Sequence, residues 1–190
     1  MKRLWLSLLC AAALLLAAFC CFALARAAVA QQTGAPDASS QRGGQTAHYR
    51  QHGPAVLNDL GATPGDVRTS DTRQLCAASF HTGTVRNVPE SVKHAVCRAY
   101  GLAPAQCTGQ KVEIDHLISL ELGGSNELKN LWPQPYAPRP GAKEKDVVEN
   151  WLHRQVCSGA LTLGAAQLEI RTDWYAVYLQ VPQASGGGAK

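Results

Sequence analysis

The sequence predicts an α+β domain built on a two-stranded hairpin and a helix, with flanking helices and disulfide cross-links. Three observations predict it. The stretches QKVEIDH and NLWPQP read as short strands on either side of the loop LISLELGGSNELK. Amphipathic helical repeats stand before and after that pair. Four cysteines lie between Cys76 and Cys157, an even number that suits cross-linking.

The elements follow in chain order. Residues 1–30 carry Lys2 and Arg3, then the apolar run LWLSLLCAAALLLAAFCCFAL, then Ala28-Val29-Ala30, which fits the small-x-small rule for signal cleavage. Export is therefore expected, with a mature start near Gln31, location in a periplasm or outside the cell, and no membrane association after cleavage. Residues 31–62, rich in Gln, Gly, Ser, Ala and Pro, carry too little apolar surface to offset ordering and read as a flexible linker. The domain is expected over residues 63–182, followed by an unstructured tail, residues 183–190.

Within the domain, PGDVRTSDTRQLC and SFHTGTVRNV read as loop and short extended pieces. PESVKHAVCRAYGL reads as a helix, with Pro89 in the first turn and Gly101 able to end it left-handed. In QKVEIDH, Val112 and Ile114 alternate inward as in a strand. The helix AKEKDVVENWLHRQVCSG places Val148, Trp151, Leu152 and Val156 on one face, and Asp146, Glu149, Asn150 and His153 on another. The last helix, about 163–179, carries Leu163, Ala166, Ile170, Trp174 and Val177 as its packing stripe. Trp132, Trp151 and Trp174 read as core, and His81 and His94 as structural.

The leader contributes Lys2, Arg3 and Arg26 and no acid, so the 18 basic and 14 acidic residues of the whole chain become 15 and 14 after it, a net charge of +1. Bulk charge therefore makes no case for nucleic-acid binding, and any case rests on a local site. Three of the seven cysteines also belong to the leader. Of the three ways to join the remaining four, the favoured one pairs Cys97 with Cys107 in a short loop and Cys76 with Cys157 across the core. A zinc site of all four has no CxxC spacing to support it.

Asp115 and His116 carry the chemistry. An imidazole titrating near neutrality is the usual general base, and neighbours at a strand end can point opposite ways, so His116 is expected to face a substrate water while Asp115 holds a hard divalent cation. Asn126 reads as a turn residue of GGSN.

EIDHLISLELGGSNELKNLWPQP, followed by AKEKDVVENWLHRQVC and AAQLEIRTDWYAVY, resembles the HNH endonuclease superfamily, in its branch of small exported bacterial proteins. The resemblance covers about residues 65–179. It implies a ββα-metal fold clasping one divalent ion (Mg2+, Mn2+, Ni2+ or Zn2+) and metal-dependent cleavage of DNA, with RNA a second candidate. By position it makes Asp115 the first metal ligand and His116 the base, and it gives Asn130 the role of bracing the loop that orients His116. The family commonly has His or Asn early in the helix, where this chain reads GAKEKD. Asp146 is the first replacement, with Glu149 and His153 behind it on the same polar arc. Arg86, Lys111, Lys129, Arg139, Lys143 and Lys145 flank the site and are the expected phosphate contacts, for weak, salt-sensitive binding with little sequence preference. The alternative expectation is a non-catalytic exported binding domain on the same scaffold.

Overall fold

The structure is a computed structural model that describes residues 48–182, so the leader, residues 31–47 and the tail lie outside the described residues. The described part is mixed α+β, with two small antiparallel hairpins and four α-helices. In chain order these are β1 (Arg50–His52), β2 (Ala55–Leu57), α1 (Thr72–Leu75), α2 (Glu90–Ala99), β3 (Val112–His116), β4 (Leu131–Pro135), α3 (Ala142–Cys157) and α4 (Leu163–Tyr178). No helix among the described residues is long and apolar enough to cross a membrane.

The first hairpin corrects the linker expectation for residues 48–62. β1 and β2 pair antiparallel around Gly53, and Ala55 and Leu57 are buried in the core. The composition of residues 31–62 hides a short apolar run, Ala55-Val56-Leu57, that alternates as a strand should. Its ties are long-range. The Tyr49 hydroxyl donates to Pro133 O (2.6 Å), Trp174 Nε1 donates to Val56 O (3.2 Å), and the Arg50 guanidinium reaches Thr172 O (3.1 Å).

Two stretches expected as loop contain helical turns. Asp71 caps α1 by accepting from Arg73 N, and Thr82–Thr84 forms a 3₁₀ turn. β3 pairs with β4 in a register that sets Asp115 opposite Trp132 and His116 opposite Leu131. α3 then packs against both the hairpin and α4. Val148, Leu152, Ile170 and Trp174 meet Leu117 and Trp132 in one core, while Trp151 is only partly buried against it. α4 is broken at Asp173, whose backbone is extended. The Asp173 carboxylate accepts from Tyr175 N and Ala176 N, capping the second segment, and pairs with His52 at 2.7 Å.

Disulfides join Cys76 to Cys157 and Cys97 to Cys107. They are compatible with an extracellular protein. The first spans 81 residues and ties the end of α1 to the end of α3.

Candidate functional site

The loop between β3 and β4 is held by one side chain. Asn130 is fully buried; its Oδ1 accepts from Ile118 N (3.0 Å) and Asp66 N (3.3 Å), and its Nδ2 donates to Ile118 O (3.0 Å) and Ser125 O (2.9 Å). Both donors and both lone pairs of the amide are thus engaged, which fixes the loop against the strand end. Gly124 makes this close approach: a Cβ there would lie 1.8 Å from Ile118 O and 2.9 Å from Asn130 Nδ2. Gly123 sits at φ 80°, a left-handed conformation that L side chains rarely adopt.

That loop aims Asn126 at His116. Asn126 Nδ2 donates to Val85 O (2.8 Å), so its Oδ1 is the acceptor, taking Asn87 N (3.1 Å) and facing His116 Nε2 at 3.1 Å. In a neutral ring Nε2 therefore carries the proton and Nδ1 the lone pair. Nδ1 has no hydrogen-bond partner among the described residues. Burial holds the imidazole pKa below its ordinary value, and the Asn126 bond offsets this only in part. Asn126 is thus more than the turn residue read from GGSN. Its side chain ties the backbone of Val85 and Asn87 to the imidazole.

Two further placements differ from expectation. His116 is only 2% exposed, so little of it meets bulk solvent, whereas the sequence puts it facing a substrate water. Lys145, expected on phosphate, is fully buried. Its ammonium lies 2.7 Å from Asp115 Oδ2, 2.5 Å from Glu149 Oε1 and 2.8 Å from His116 O. Burial alone would discharge Lys145, yet Asp115 and Glu149 outweigh it and raise its pKa. The cation joining Asp115 to Glu149 is thus an ammonium, and Glu149, whose own pKa burial raises, is committed to that pair. An aqueous phosphate cannot reach Lys145.

A carboxylate group stands beside this pair. Burial raises the pKa of Glu113, and Asp115 and Asp146 raise it further, against the Tyr136 hydroxyl (3.4 Å) and Arg86. Asp146 is likewise raised by burial and Asp115, and lowered by Lys145, Lys143 and Arg86. Asp115 thus acts on the charge of both Glu113 and Asp146, but the ligand atoms of the three acids do not all lie within 4.8 Å of one another. Asp115 Oδ2 makes no bond of good hydrogen-bond geometry, its contact with Lys145 being ionic. Glu113 escapes the family pattern, although the i, i+2 spacing with Asp115 on a strand puts the two on one face. The Lys145 and Glu149 pair had a similar signal in its i, i+4 spacing.

His153 is not part of this group. Its Nε2 lies 3.1 Å from Leu75 O and 3.4 Å from Cys157 Sγ, and its Nδ1 lies 3.5 Å from Glu121. Seven residues separate it from Asp146, about 10 Å along a helix, too far for the two to share one ion. Instead Cys76, His153 and Cys157 form a group, with ligand atoms within 4.8 Å of one another, that could hold a metal ion once the Cys76–Cys157 bridge is reduced.

Among the expected phosphate contacts, Arg86 and Lys143 stand close enough to the acids to act on Asp146, and Lys143 lies 5.7 Å over the Tyr136 ring. Lys129 pairs with Asp66 at 2.9 Å, Lys111 donates to Ala105 O, and Arg139 is bound to Glu144. Arg86, Glu113 and Tyr136 also border a groove of about 550 Å³ that runs on to Lys93 and His94. Compared with known proteins, the chain matches no family model, no curated protein and no solved structure.

Proposed function

We propose that the chain is an exported, metal-dependent endonuclease that hydrolyses phosphodiester bonds of DNA, and of RNA as a second substrate, with little base preference. The observation that carries this reading is the neutral His116, its Nε2 proton directed to Asn126 and its Nδ1 free, with Asp115 next to it in β3 and close enough to Glu113 and Asp146 to act on their charge. Nδ1 takes the proton from the attacking water. Asp115, Asp146 and Glu113 would hold the divalent cation, whose contribution would be to stabilise charge developing on the phosphate. Asn126 and Asn130 keep the ring and loop in place. Arg86 and Lys143 meet flanking phosphates, and the groove beyond Glu113 receives the strand.

A second reading is favoured by the buried imidazole and by the ammonium between Asp115 and Glu149: a binding domain that keeps the scaffold without turnover. Supercoiled plasmid separates the two. Nicking that needs Mg2+, Mn2+, Ni2+ or Zn2+ and stops on chelation supports the nuclease, whereas plasmid retained on the protein with no nicking under any of these ions overturns it.

A further inference from the structure

The far end of α3 carries a second constellation, independent of the acidic site. Cys157 and His153 are four residues apart on that helix and share a face, and Cys76 stands at the end of α1 with its Cα 5.4 Å from that of Cys157. His153 Nε2 lies 3.4 Å from Cys157 Sγ, while Nδ1 faces the half-buried Glu121 carboxylate at 3.5 Å. We propose that, when the Cys76–Cys157 bridge is reduced, the two thiolates and His153 Nε2 bind a borderline-soft divalent cation, of which Zn2+ is the type.

Geometry permits it. Around a tetrahedral zinc, thiolate sulfurs lie about 3.8 Å apart and an imidazole nitrogen about 3.5 Å from each. The ligand atoms here already fall within 4.8 Å of one another, so gathering them on one ion takes shifts of side chains rather than of helices. Cys157 is exposed, which lets a reductant reach the sulfur and leaves the fourth position to solvent. Metal on Nε2 displaces its contact with Leu75 O and leaves Nδ1–H to donate to Glu121. Glu121 is then a positioning residue that orients the ring.

The chemistry balances in two steps. A dithiol reductant gives two electrons and two protons to the bridge, becoming a disulfide itself and leaving two protein thiols. The cation then displaces both thiol protons and accepts the two thiolates and the imidazole. Two soft sulfur donors select against Mg2+, so the acidic cluster and this group take different ions. The tie between the ends of α1 and α3 is covalent when oxidised and ligand-mediated when reduced.

Cobalt(II) reports on the site directly. Phosphine-reduced full-length chain, freed of reductant and titrated with Co2+, should develop thiolate-to-cobalt absorption at one equivalent, bleached by Zn2+, while the oxidised chain develops none. His153→Ala should weaken Co2+ binding at least tenfold, and Glu121→Gln by about tenfold with the band position shifted. Cys76→Ser/Cys157→Ser, which leaves the other five cysteines in place, should lose the band. The proposal is overturned if the reduced chain gives no such absorption, if His153→Ala binds Co2+ as tightly as the native chain, or if the absorption survives the double serine variant, which would locate the ligands in other thiols or in an unfolded chain.

Discussion

Three side chains around His116 divide the work of placing it. Asn130 holds the loop, Asn126 holds the ring, and Lys145 holds the backbone carbonyl of His116 while pairing Asp115. Asn130→Ala leaves Ile118 N, Ile118 O and Ser125 O without partners in a buried loop, a loss of about 3 kcal/mol. Asn130→Asp should fare little better, because a carboxylate cannot donate to Ile118 O or Ser125 O. Urea denaturation of both variants measures this, and a loss below 1 kcal/mol in either would contradict the bracing role. Lys145→Met removes the one cation paired with the largely buried Glu149 among the described residues, a loss of about 3 to 5 kcal/mol. Asn126→Ala should slow plasmid nicking and cost about 1 to 3 kcal/mol in urea denaturation, since it leaves the buried His116 Nε2 without its acceptor. The placing of Asp115 and His116 at the end of β3, and of Asn130 just before β4, was legible because residue type and order carry it. Lys145 was misread as a phosphate contact because its burial depends on how α3 packs on β3, which no local pattern states.

Among the elements, the β3–β4 hairpin and helices α2, α3 and α4 follow their sequence patterns, because each presents one apolar face at its own period. The first hairpin was missed: three-residue strands give too short an alternation to stand out from Gly- and Gln-rich surroundings. Its exit is held by Asp59. Burial opposes ionisation of that carboxylate, yet hydrogen bonds from the backbone of His48, Ala62 and Gly61 outweigh it and lower its pKa. A lowered native pKa means the unfolded chain binds the proton more readily. The contribution is therefore present above the unfolded value, about 3.9, and lost as pH falls through the native one. Asp59→Ala should cost about 1 kcal/mol at neutral pH, and the gap between variant and native midpoints should close below about pH 4. A gap independent of pH would refute this assignment. Gly124→Ala should be the harshest loop substitution, about 3 kcal/mol, since its Cβ would overlap Ile118 O.

For the molecule as a whole, the two cross-links differ in reach. In the chain-entropy view the 81-residue link contributes about 4 to 5 kcal/mol and the 10-residue link about 2.7. Cys76→Ser/Cys157→Ser should accordingly lose more in denaturant midpoint than Cys97→Ser/Cys107→Ser, and the reverse order would show that the short link carries the fold. The long link also fixes the far end of the helix whose other end supplies Asp146 and Lys145, so the packing that builds the acidic site depends on a bond remote from it. The pairing was legible from loop lengths. Separation of His153 from the acids was not, because a shared helical face says nothing about position along the axis.

Comparing the native chain with His116→Ala on supercoiled plasmid, at saturating divalent cation and matched folding by circular dichroism, tests the central claim most directly. The nuclease reading predicts a fall in the nicking rate of about 10² to 10⁴-fold, with partial recovery when imidazole is added. Nicking by the variant at the native rate would contradict it.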